Sequence, residues 1–218
     1  MPAAPSALLQ LELALKGGAC DLEAATSAIK SDIGLTVHLL CLCAEYTDDS
    51  SDRLPPISDL VVQAGCDRLR ELVESMVSLP SYAQNRSHAS GCARFWEHAR
   101  LTATVAEDLS RQTTDVLCDE AFLAGALYQL GDLASLLGWN VAALGTRDVR
   151  ERVSEMAREW GLPNILVEVI RGEKSLCSSA KARVLLDLAL TASNWADRLE
   201  SLAARELSSS PLQVLSAQ

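Results

Sequence analysis

The stretch Ala121–Trp139, "AFLAGALYQLGDLASLLGW", decides the fold. It is too long and too apolar for a strand, and its apolar residues recur at helical spacing. It predicts one long buried helix, from about Asp119 to Leu137, carrying a small polar stripe of Tyr128, Gln129, Asp132 and Ser135. Each unpaired polar group in such a helix costs a few kcal/mol, so the stripe needs partners or a task.

Outward from this helix, every periodic segment repeats at helical spacing, and no alternating strand pattern is found. Helices are expected at about Ser6 to Lys16, Asp21 to Lys30, Ile33 to Tyr46 and Ser58 to Leu79. Further ones are expected at about Cys92 to Gln112, Arg147 to Trp160, Pro163 to Arg171 and Ser178 to Leu207. Asp21 and Ser58 have the chemistry of N-caps, Gly17-Gly18 and Pro80 that of stops, and "GLP" at 161–163 that of a stop and restart. Polar loops are expected at 47–56 and 81–91. The second divides an N-terminal helical lobe (1–88) from a second lobe (89–207), followed by a flexible tail (208–218). The fold class is all-α.

Composition narrows the function. With 49% hydrophobic and 22% charged residues, the 218-residue chain can bury a sizeable core. No apolar run is long enough to cross a bilayer, and the N-terminus lacks the early basic residue of a signal peptide, so a cytoplasmic protein is expected. A net charge of −10 with only four lysines argues against nucleic acid and anionic membrane as partners. The seven cysteines form no CxxC pair and read as reduced thiols.

Candidate chemistry is sparse. Of three histidines, His38 lies in an apolar run and reads as a core or flank residue, while His88 sits in the expected second loop. His98 follows Cys92, Phe95 and Trp96 on a face continued by Ala99, Ala103 and Ala106, and sits at that face's edge. Asp187, Thr191, Asn194 and Asp197 or Arg198 form a polar stripe on the last helix, which solvation of an outer face explains. No glycine-rich phosphate loop and no GxSxG motif occurs.

The order of "SDIGLTVHLLCLCAEY", "ISDLVVQAGCDRLRELV", "FWEHARLTATVAEDLS", "AFLAGALYQLGDL" and "EWGLPNILVEVI" resembles the successive blocks of the HDOD domain family, over about Ala7 to Ala204. The resemblance implies a multi-helix bundle whose second lobe is like the HD phosphohydrolases, and a regulatory role in bacterial signalling. In that superfamily a first His, a His-Asp pair and a later Asp hold metal, which activates water against a phosphate ester. His98 matches the first His and Asp197 the later Asp, with Asp187 an alternative. The His-Asp pair is replaced by Tyr128 and Gln129, since "GLLHDIG" here reads "GALYQLG". The family's "N-S" is Ala44-Glu45, its "D-P" is Asp32-Ile33, and the His after the WGLP block gives way to "RGEK".

The resemblance therefore implies a non-catalytic module with no metal and no cofactor. Its groove, lined by His98, Tyr128, Gln129 and Asp197 with Asp132 behind, would take a protein partner or a small ligand. A satisfied buried hydrogen-bond network is the equal alternative for these residues. A divergent metal-dependent phosphohydrolase, recruiting Glu97 or Asp132, is a second function. A nucleotide sensor without turnover is a third, with Trp96 or Tyr128 stacking on a base and Arg94 and Arg100 serving phosphates. A homodimer through exposed leucines of the last helix or the tail is left open.

Overall fold

The computed structural model describes residues 1–16, 20–46, 53–78, 81, 86–112, 116–132 and 149–208. Among them are nine α-helices and a single isolated bridge, Ala3 to Ser78, in place of any sheet. The helices are α1 (Pro5–Ala14), α2 (Leu22–Lys30), α3 (Ile33–Leu42), α4 (Ile57–Ser75), α5 (Arg86–Ser110), α6 (Cys118–Tyr128), α7 (Val149–Glu159), α8 (Asn164–Arg171) and α9 (Ala180–Ser208). None of the described helices is long and apolar enough to cross a membrane.

Helices α1–α4 pack on one another, and α5, α6 and α9 form a second group with α8 against α6 and α9 and α7 against α8. Helix α3 touches both α5 and α6, so one apolar core runs through both groups. Helix α6 is the buried element that the sequence predicts: Glu120 through Leu127 are all buried. The predicted face of α5 is buried too, at Cys92, Phe95, Trp96, Ala99, Ala103 and Ala106. Small residues there let α6 approach closely; a Cβ on Gly125 would sit 2.9 Å from the Ala103 backbone.

Several expected boundaries shift, each for a local reason. Asp21 does cap α2, accepting from the Ala24 amide at 2.9 Å. Ser58 does not cap α4; that helix starts at Ile57 after Pro56, and the Ile57 amide donates to the Asp119 carboxylate at 2.9 Å. Residues 86–91, expected in a loop, already belong to α5, so the 88/89 boundary falls in its first turn. Of the His88 backbone only the helical state is described. The expected helix over 58–79 is broken at Gly65, whose φ of 74° and ψ of 158° lie in a region open only to glycine. At the "GLP" stop, Gly161 has φ 78°, and a Cβ there would meet Ala44 Cβ at 2.7 Å. The tail from 209 onward lies outside the described residues, as do Ser135, Leu137 and Trp139.

The two groups of helices are pinned together at the start of α6. Glu120, 1% exposed, accepts from the Leu54 and Leu117 amides at 3.1 Å each and from Lys181 Nζ at 2.5 Å. Its neighbour Asp119 accepts from Lys30 Nζ at 3.0 Å and from the Ile57 amide at 2.9 Å. Lys30 also meets Glu107 at 3.2 Å and lies 4.5 Å from the Phe122 ring centre. All seven cysteines are free thiols, and burial pushes Cys41 up to about 11, which keeps that thiol protonated at neutral pH.

Two substitutions test this framework by chemical denaturation. Gly65→Ala is expected to cost about 1–3 kcal/mol, because no other residue readily adopts that backbone conformation. Lys181→Met strands the buried Glu120 carboxylate and is expected to cost about 3 kcal/mol. A loss below about 0.5 kcal/mol for either would show that the break or the clamp is not what holds the helices.

Candidate functional site

Helices α5 and α9 lie side by side, with the end of α6 between them. His98 and Thr102 are one turn apart on α5, so both face the same way, and Ser193 and Asp197 are one turn apart on α9. Gln129, 5% exposed at the end of α6, bridges the inner turn. Its Nε2 donates to Ser193 Oγ at 3.0 Å and, more weakly, to Thr102 Oγ1 at 3.4 Å. One turn outward, His98 Nδ1 meets Glu200 Oε1 at 3.0 Å, and its Nε2 lies 4.0 Å from Asp197 Oδ1. The result is a polar seam: a buried amide–hydroxyl layer topped by a half-buried imidazole and two exposed carboxylates.

Tyr128 and Asp132 belong elsewhere. They stand one helical turn apart, and both meet Arg150 from the start of α7. The guanidinium lies 4.4 Å above the Tyr128 ring and donates to Asp132 Oδ2 at 2.7 Å. It also donates to the carbonyls of Tyr128 at 3.2 Å and Ile170 at 3.3 Å, near the ends of α6 and α8. This explains why the predicted helix over 119–137 is interrupted at Gln129. With the Tyr128 carbonyl turned to Arg150, the Asp132 amide bonds to Gln129 instead, at 3.0 Å. A Cβ on Gly131 would also lie 2.7 Å from Arg150 Cγ.

The five residues expected to line one groove thus enter two hydrogen-bonding sets. His98, Gln129 and Asp197 share the seam between α5 and α9; Tyr128 and Asp132 share the knot around Arg150. Asp187 is taken by Lys174 and is half exposed. The rest of the α9 stripe, Thr191, Asn194 and Arg198, is exposed as expected. His38 is a flank residue, with Nε2 3.0 Å from the Met1 backbone, and burial holds its pKa below the usual imidazole value. Glu97 and Arg100 pair with each other at 2.5 Å, and the Arg100 guanidinium holds the Glu97 carboxyl below its usual range.

Four participants escape the sequence reading. Thr102 and Ser193 have a usable signal, since each lies four residues from an expected site residue and so on its face. Glu200, three residues past Asp197, has the same signal. Arg150 has none, for its partners, the Asp132 carboxylate, the Tyr128 ring and two backbone carbonyls, lie 18 to 22 residues away in the chain.

The described residues form an all-helical bundle with a polar seam between α5 and α9. The HDOD domain family matches residues 1–143, and the chain belongs to that family. The match takes in α1 through α6, including His98 and Gln129, while Asp197 and Glu200 lie beyond it. No curated protein and no solved structure matches the chain.

Arg150 ties three helix ends together through an aromatic face, two carbonyls and a carboxylate. Arg150→Met is expected to lower stability by about 2–3 kcal/mol, because it leaves part-buried carbonyls without their donor. Thermal unfolding measured against the parent checks this, and an unchanged melting temperature would reduce the knot to a surface contact.

Proposed function

We propose that the chain is a non-catalytic HDOD module of bacterial cytoplasmic signal transduction, acting by binding a protein partner or a small ligand. The observation that carries this reading is the bonding of Gln129. It stands where the HD phosphohydrolases place a carboxylate ligand, and its amide nitrogen is committed to Ser193 and Thr102. An amide nitrogen is a donor and cannot ligate a cation, and a carboxamide is a poor substitute for carboxylate at a hard divalent ion. The Tyr128 ring, in place of the paired His, lies under Arg150. The residues present do not fit the four-ligand centre that the superfamily uses.

Regulation then works by population shift. Helix α3, the Lys30 ion pairs and the Leu54 and Ile57 amide bonds to Glu120 and Asp119 are the physical links between the two groups of helices. A ligand that prefers one arrangement of these groups moves the equilibrium by its difference in affinity for the two. The seam of His98, Gln129 and Asp197 borders α5 and α9, whose outer turns carry exposed Trp195, Leu199 and Leu202.

One observation favours a second reading. The ligand atoms of His98, Asp197 and Glu200 lie within 4.8 Å of one another, a three-donor set of the kind that holds a divalent ion for hydrolysis. Both carboxylates are exposed, which weakens such a site by leaving the ion open to competing water.

Metal content separates the two. The untagged protein is incubated with Mn²⁺, Fe²⁺, Ni²⁺ and Mg²⁺ in turn, desalted, and its bound metal counted per chain by mass spectrometry. The expected result is far less than one ion per chain and no turnover of phosphodiester substrates. One ion per chain that disappears in His98→Ala, with phosphodiester turnover, would overturn the non-catalytic reading.

A further inference from the structure

Two half-exposed thiols meet where the start of α2 lies against α4. Helix α2 packs on α4, and Cys66 and Arg70 stand one turn apart on α4, so they share a face. The Arg70 guanidinium donates to the Leu15 carbonyl, from Nη2 at 3.1 Å and from Nε at 3.3 Å. Next to Leu15, the Ala14 carbonyl accepts from the Asp21 amide at 3.0 Å. Cys20, the residue before Asp21, is thereby held against the face of α4 that carries Cys66, and the two thiols hydrogen-bond. Both are partly accessible. A Cβ on Gly65 would meet nothing within 4 Å, so the chain beside Cys66 is open to small solutes.

The setting differs from that of the other cysteines. Cys43, Cys92 and Cys177 are buried, and burial is the main cause that keeps Cys41 protonated. At Cys20 burial also acts, but the hydrogen bond with Cys66 adds to it, and together they push the thiol up to about 11. Arg70 pulls the other way, more weakly. Cys20 therefore keeps its proton at neutral pH and donates it to the Cys66 sulfur. Since the nucleophilic form of a cysteine is the thiolate, Cys66 is placed to attack an oxidant first and Cys20 to act second.

We propose that Cys20 and Cys66 are a reversible oxidation site, at which a peroxide forms a disulfide that fastens the start of α2 to α4. In the first step Cys66 gives its proton to solvent and its thiolate attacks a peroxide oxygen. An S–O bond forms, the O–O bond breaks, and the departing hydroxide takes up a proton to become water. In the second step the Cys20 sulfur attacks the Cys66 sulfenic acid. The S–S bond forms, the S–O bond breaks, and the hydroxide leaves with the Cys20 proton as a second water. Two thiols and one hydrogen peroxide thus give one disulfide and two waters, with two electrons passing from sulfur to peroxide. A dithiol reductant reverses the change by exchange. The new bond lies one residue past the break at Gly65, so it ties the point where α4 bends to the Arg70 contact. It restricts the unfolded chain and so stabilises the oxidised form. The site does not depend on what the seam between α5 and α9 binds.

The test treats the reduced full chain with stoichiometric hydrogen peroxide, then denatures it and alkylates every remaining thiol with N-ethylmaleimide. Digestion without reduction and mass spectrometry then locate any cross-link. Two of the seven thiols are expected to escape alkylation, in a single linked pair of peptides carrying Cys20 and Cys66. Dithiothreitol is expected to restore all seven. The oxidised protein is expected to melt higher by roughly 5–10 °C, and to return on reduction. The order of attack is read with dimedone, which traps sulfenic acid. Cys20→Ser is expected to carry the label on Cys66, and Cys66→Ser to carry several-fold less on Cys20. Complete alkylation after oxidation would overturn the proposal, as would a cross-link made chiefly by another pair of cysteines. A melting temperature lowered by the cross-link would show that the native fold does not hold the two thiols for bonding. Equal dimedone labelling in the two variants would overturn the assigned order.

Discussion

The carboxylate of Glu120 is the constraint on which the arrangement of helices depends. A buried charge is tolerated only where donors surround it, and here three converge: two amides and the Lys181 ammonium. Each comes from a different part of the chain: the lead-in to α4, the residue before α6, and the first turn of α9. Asp119 repeats the pattern with Lys30 of α2 and the Ile57 amide. Two consecutive acidic residues at the start of α6 therefore fix where three other segments lie, α2, the start of α4 and α9. Hydrophobic burial gathers these helices, but it is non-directional and does not choose among neighbouring registers. The directional bonds at Asp119 and Glu120 do. A chain with only four lysines places two of them here.

The helical class, the order of helices and the buried faces were legible because they depend on periodicity and on local caps and stops. Asp21 shows this well, since an N-cap needs nothing beyond the next three residues. What was not legible depends on distant partners. Nothing near Tyr128 says that its carbonyl will be taken by Arg150, so a continuous helix over 119–137 is the natural expectation and the interruption at Gln129 is invisible. Gly65 is similar: a glycine inside an apolar pattern is usually tolerated in a helix, and no neighbouring residue signals the break there. Residues 86–91 are polar and small, yet they extend α5 because that helix is anchored further along by Phe95 and Trp96.

The candidate site was legible to the same limit. His98 and Asp197 are legible from the resemblance to the family, and the structure brings their side chains to 4.0 Å from each other across facing helices. Tyr128 and Gln129 adjoin in sequence, and adjacent residues on a helix point in different directions. Their separation into two sets follows from that geometry.

A neutral amide at Gln129 also has an energetic logic on the proposed non-catalytic reading. A carboxylate buried at the end of α6 would need a cation or several donors to offset its desolvation. In a metal centre the ion supplies that. An Asp at this position would face two hydroxyls and no countercharge. A neutral amide donates to both hydroxyls and closes the layer without any charge. Above it, the imidazole of His98 keeps two carboxylates for company, and these stay near water, where their charges cost little. The seam is thus divided by depth, with neutral groups inside and ionisable ones at the surface, which is the order that burial energetics favour.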